Sequence, residues 1–171
     1  MHVLIATTGA LTTAPAIEFT RHLLSKGGRA TVTTVIEVPR SFLDQLRAEG
    51  WHPLGAYESD PQPREEEEAV IQRYVEERGR RLTDPIVAAL NAVGIDSEAI
   101  FLEGDDPAVS ISELADRIDA DVVVLGATRM IFDQAAWENV SARVMIESGR
   151  PVLVVPPPRG VSKSKDGAVG R

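Results

Sequence analysis

The stretch that decides the fold runs from Ala120 to Pro156. It opens with Ala120-Asp121-Val122-Val123-Val124-Leu125-Gly126-Ala127-Thr128-Arg129. An apolar, β-branched run that ends in glycine predicts a buried strand followed by a turn. From about Asp133 to Glu147 the pattern suits a helix. Arg150-Pro151-Val152-Leu153-Val154-Val155-Pro156 then gives a second short apolar strand. Together these make a strand–loop–helix–strand unit, from which parallel sheets are wound. In such a unit, a bound phosphate would sit at the turn after Gly126.

Working outward, the same alternation fills the chain. His2 to Thr7 reads as a central strand closed by Thr8-Gly9. A helix follows, with Thr13 as N-cap, Pro15 in its first turn and an apolar stripe of Ala16, Phe19 and Leu23, flanked by Ile17 and Leu24. Ala30 to Ile36, rich in β-branched residues, is a second strand. Ser41-Phe42-Leu43-Asp44 has the form of a capping box and predicts a short helix to Glu49. Trp51 to Pro63 reads as a loop. Glu65 to Glu68 opens a long helix whose acidic start and Arg-rich continuation suit the helix dipole. Ile71, Val75, Leu82, Ile86, Leu90 and Val93 mark its apolar face. Thr83-Asp84-Pro85 predicts a kink or break near Asp84. Glu98 to Leu102 is a third strand. Asp106 and Pro107 cap a helix with Val109, Ile111, Leu114, Ala115 and Ile118 as its apolar residues.

This β-α-β-α-β-α-β-α-β order predicts an α/β fold, a five-stranded parallel sheet with helices on both faces. Residues 1–156 read as one domain, with a short-helix and loop insert at 40–64. The tail, residues 157–171, lacks apolar periodicity and reads as disordered.

Composition limits the chemistry. The chain has 171 residues, 43% of them hydrophobic, enough for a core. A net charge of −8 argues against nucleic-acid binding, which needs a basic footprint. There is no cysteine, so disulfide and thiolate chemistry are excluded. No apolar run approaches a membrane span, and the expected location is the cytoplasm. His2, His22 and His52 share no metal-ligand spacing, so no metal is expected. Asp105-Asp106 reads as a helix cap rather than a magnesium site. The chain has no G-x-S-x-G elbow, no P-loop, and no G-x-G-x-x-G after the first strand. Trp51, Tyr57 and Trp137 read as cover for the core edge rather than as pocket walls.

Leu102-Glu103-Gly104-Asp105-Asp106-Pro107-Ala108, with Glu113-Leu114-Ala115 and Ala120 to Gly126, resembles the universal stress protein family. Val140-Ser141-Ala142-Arg143-Val144 and Gly149 to Val155 resemble it too. The resemblance covers residues 1–156. It implies a Rossmann-like sheet akin to the adenine-nucleotide α-hydrolase fold, a stress-response role, and a homodimer joined through the last strand. Some members bind ATP through G-x2-G-x9-G-S/T, the last pair opening the final helix. Glycines admit phosphates to the backbone, and the helix start offers N–H donors. Here Gly126 holds the first position and Arg129 replaces the second glycine. Anchored on Val140-Ser141, the spacing to the final pair is one residue short, and that pair is Glu138-Asn139. Thr8 stands where the family usually has an aspartate.

The nucleotide-site candidates that this resemblance implies are Thr7, Thr8, Val35, Gly126, Arg129, Asn139 and Ser141. Arg129 reads first as a solvated loop residue and second as a phosphate contact. Asn139 and Ser141 read first as helix caps and second as ligands. ATP is accordingly weak or absent as a cofactor, and the chain is expected not to be an enzyme. Val152, Leu153, Val154 and Val155 form an edge strand suited to pairing with a second copy. The expected role is a regulatory or interaction module with an unknown protein partner; the alternative is an ATP or AMP sensor with a modified phosphate loop.

Overall fold

A computed structural model describes residues 1–9, 11–49, 63–126 and 134–156; for 45–49, 63–66 and 134–139 it describes the backbone alone. Its strands are β1 (His2–Ala6), β2 (Arg29–Ile36), β3 (Asp96–Glu103), β4 (Val122–Gly126) and β5 (Val152–Val155). Its helices are α1 (Thr13–Leu23), α2 (Arg40–Glu49), α3 (Pro63–Ala92), α4 (Pro107–Arg117) and α5 (Gln134–Glu147). The sheet order is β3-β2-β1-β4-β5, and every pairing is parallel.

The continuous apolar runs of β1 and β4 fit this layout, because both strands are buried on two faces. Strand alternation divides their side chains between two core layers. Val3, Ile5 and Val124 pack with Ala16 and Ile17 of α1 and with Ile86 and Leu90 of α3. Leu4, Val123 and Leu125 pack with Ile111 and Leu114 of α4 and Val144 of α5. The helices thus cover both faces, and the carboxyl ends of β1, β2 and β4 open on one side. The loop after Gly126, the 51–62 segment with Trp51 and Tyr57, and the 157–171 tail lie outside the described residues.

Several local expectations are corrected. In α1 the buried residues are Ala16, Ile17 and Thr20, with Leu24 buried just beyond its end, while Phe19 and Leu23 are exposed. Thr20 can occupy the core side because its hydroxyl donates to the Ala16 carbonyl at 2.8 Å. Val93 and Val109 are likewise exposed. The N-cap of α1 is Thr12, not Thr13; its side chain makes no cap bond and instead donates to the Pro156 carbonyl at 3.3 Å. Ser41 does not cap α2, which already starts at Arg40, with Phe42 N–H and Leu43 N–H donating to the Pro39 carbonyl.

No break occurs near Asp84. Helix α3 runs from Pro63 to Ala92 with Pro85 inside it. Thr83 is buried, and its hydroxyl donates to the Gly79 carbonyl at 3.1 Å, so it serves the preceding turn instead of starting a new one. Packing against β2 and β3 holds the helix through the proline.

Candidate functional site

The cleft lies where the strand carboxyl ends meet the helices. Thr7 extends β1: its N–H donates to the Thr33 carbonyl at 2.9 Å, and its hydroxyl accepts from Gly9 N–H at 2.9 Å. Gly9 has φ of 86°, a left-handed turn that glycine adopts without strain. This turn ends the strand and leaves Thr8 exposed at the rim. From β2 come Thr34 and Val35; from β4, Leu125 and Gly126. Pro107 and Ile111 of α4 form one wall, and Val140 and Ser141 of α5 another. The enclosed space is about 110 Å³.

Five predicted residues therefore converge here: Thr7, Thr8, Val35, Gly126 and Ser141. Arg129 lies outside the described residues, and so do the side chains of Glu138 and Asn139. Sequence reasoning missed Thr34, Ile111 and Leu125. Ile111 and Leu125 looked like ordinary core residues, and alternation along β2 turns Thr34 to the face opposite Val35, so the strand pattern gave no signal for it.

Gly126 has a packing reason to be glycine. A Cβ there would lie 2.9 Å from Leu11 Cα, a backbone atom that cannot swing aside. The glycine is required by the close approach of the segment before α1, whether or not a phosphate binds.

The cap reading of Asn139 and Ser141 is overturned. Helix α5 starts at Gln134, so both residues lie in its interior. Only the first four N–H groups of a helix lack an intrahelical partner. Those of residues 139 and 141 fall beyond that limit, so their backbone donors are already used within the helix. Among the described residues, the free donors at this helix start belong to residues 134–136.

Next to the cleft, Asp106 caps α4 as expected, accepting from Ala108 N–H at 3.1 Å and Val109 N–H at 3.4 Å. Arg143 of α5 reaches across to the same carboxylate, donating through its two terminal nitrogens at 3.0 and 2.9 Å. Its Nε donates to Glu147 at 2.8 Å. The hydrogen bonds from Arg143 hold the Asp106 carboxyl below its ordinary pKa, against some desolvation, and the Val109 and Ala108 N–H groups add to the effect. Asp106 and Glu147 in turn raise Arg143. This bidentate contact fixes α5 against the start of α4, and hence the two helical walls of the cleft.

The other polar candidates are engaged elsewhere. His2 is buried at the opposite end of β1, with its ring nitrogens 3.0 Å from the Ile118 carbonyl and 2.8 Å from the Thr31 hydroxyl. His22 lies 2.7 Å from the Glu18 carbonyl. His52 is outside the described residues, as is the side chain of Trp137. Among the described residues, no group of three or more His, Cys, Asp or Glu side chains could hold a metal ion. No helix of the described residues is long and apolar enough to cross a membrane.

The model of the universal stress protein family matches residues 1–156. No curated protein matches the chain. Among solved structures, hypothetical protein MJ0577, the subject of a structure-based assignment of biochemical function, is 19% identical with a TM-score of 0.63 over 91% of this chain and 94% of that one. A universal stress protein family member from Burkholderia pseudomallei is 20% identical, with a TM-score of 0.57 over 91% and 95%. A universal stress protein solved in complex with cAMP is 16% identical, with a TM-score of 0.57 over 91% and 96%. At these identities the likeness to the solved structures is one of fold.

Proposed function

Because the chain belongs to the universal stress protein family, we propose that it acts in the stress response as a regulatory or interaction module, without tight ATP binding. One observation carries this reading. The positions that would cradle phosphate at the last helix lie inside α5, where their N–H groups are already bonded. Gly126, the remaining glycine of the pattern, is explained by its contact with Leu11. The module works by binding and not by catalysis; the described lining of the cleft consists of hydroxyl-bearing and apolar residues, which suits holding a ligand. It acts in the cytoplasm as a homodimer joined through β5, the edge strand whose outer hydrogen-bonding groups have no partner strand among the described residues.

A second reading is an ATP or AMP sensor with a modified phosphate loop. The convergence of Thr7, Thr8, Val35, Gly126 and Ser141 on one cleft favours it. So does the existence of a universal stress protein of similar fold in complex with cAMP. Thermal melting with Mg·ATP and with AMP separates the two. A ligand at 100 times its Kd stabilises by about 2.7 kcal/mol. No shift at millimolar nucleotide supports the first reading; a shift of that size supports the sensor.

A further inference from the structure

Two cavities flank the carboxyl end of β2. Thr8, Thr34 and Val35 line both the cleft and a second, more open cavity of about 420 Å³. Tyr74, Arg78 and Leu82 of α3 wall the second one, together with Glu37 and Pro39 just after β2. Thr34 is 1% exposed, and its hydroxyl has no hydrogen-bond partner among the described residues. A buried hydroxyl without a partner is costly, and it lies at the strand end that both cavities border.

The second cavity also carries a cation that its own helix leaves unneutralised. Along Glu76-Glu77-Arg78-Gly79-Arg80-Arg81, Arg80 pairs with Glu76 at 2.5 Å and Arg81 with Glu77 at 3.7 Å. The same four-residue spacing gives Arg78 a phenol instead of a carboxylate. Its Nη1 lies 3.3 Å from the Tyr74 hydroxyl, and its guanidinium carbon is 5.9 Å from the Tyr74 ring centroid. Tyr74 stacks on Phe42 of α2, ring centroids 4.8 Å apart. Helix α2 thus steadies the ring beneath Arg78, and the guanidinium keeps donors for a further acceptor. Glu37, on the same cavity, repels additional negative charge, so the site suits one anionic group and not a polyphosphate chain.

We propose that the two cavities form one bipartite site for a small organic mono-anion with an apolar body. The body fills the cleft at Val35, Ile111 and Leu125, and the anionic group meets Arg78. The inference rests on reading the cleft as a binding site without tight ATP binding, and it moves the anion pole from the β4–α5 turn to α3.

The test is calorimetric titration of the full chain with 2-naphthoate and with its uncharged analogue 2-naphthamide. Wild type is expected to bind the carboxylate about five-fold more tightly than the amide, the upper range for a partly exposed ion pair. Arg78→Ala is expected to erase that difference, and Arg81→Ala to preserve it. The proposal is overturned if neither probe binds, if the two bind equally, or if Arg129→Ala erases the difference in place of Arg78→Ala. Titration with Mg·ATP in the same series keeps the two readings apart. Micromolar ATP binding would overturn the functional reading itself, whereas failure of the naphthoate arm alone overturns only the bipartite site.

Discussion

Gly126 and Asp106 show how a site residue can be held by packing and charge before any ligand is considered. Gly126→Ala would place a methyl group 2.9 Å from Leu11 Cα. The expected cost is about 1–3 kcal/mol of folding stability, as for other overpacked positions, and denaturant titration measures it. Asp106→Asn keeps an acceptor at the helix cap but loses the charge pair with Arg143. Because the folded carboxyl titrates below its ordinary 3.8, its contribution is fully present above that value. It is lost as pH falls through the lower folded value. The wild-type advantage over Asp106→Asn should therefore be constant near neutrality and shrink in acid. Unfolding midpoints of both proteins from about pH 3 to pH 7 check this.

At the scale of elements, the two long helices test what pattern reading can and cannot see. The bounds of α5 were legible because its composition suits a helix from about Asp133. The cap assignment of Asn139 and Ser141 came instead from aligning a motif, and a motif carries no information on where the helix begins. In α3, Thr83-Asp84-Pro85 has the chemistry of a restart. Burial of Thr83 and packing on the sheet override that local preference. Pro85 still lacks the N–H that would meet the Arg81 carbonyl. Pro85→Ala, at an exposed position, should therefore raise stability by about 2 kcal/mol, the helix gain less the unfolded-state rigidity that proline supplies. A lower melting temperature for this variant would contradict that account of α3. The stripe on α1 was misread for a related reason. Helical spacing alone favoured Phe19 and Leu23, and nothing in it signals that Thr20 can satisfy its hydroxyl against Ala16 and take the core position.

Across the whole molecule, the parallel sheet was legible because strand composition and glycine turns agree over most of the chain. Each of the five strands lies where its apolar run placed it. The cleft was legible only in outline. Thr7, Thr8, Val35 and Gly126 stand at strand ends, where the topology gathers them, but the placing of Tyr74 and Arg78 beside Thr34 and Val35 depends on how α3 lies over β2. The same topology leaves β5 at the sheet edge beside β4. The dimer proposed through it predicts that Val154→Asp yields monomers in sedimentation velocity while wild type sediments as a dimer; a monomeric wild type would refute it. The central claim concerns the cleft, and calorimetric titration of the wild-type chain with Mg·ATP tests it most directly. The account predicts no saturable binding tighter than about 1 mM. A Kd near 1 μM, about 8 kcal/mol of binding free energy, would contradict it.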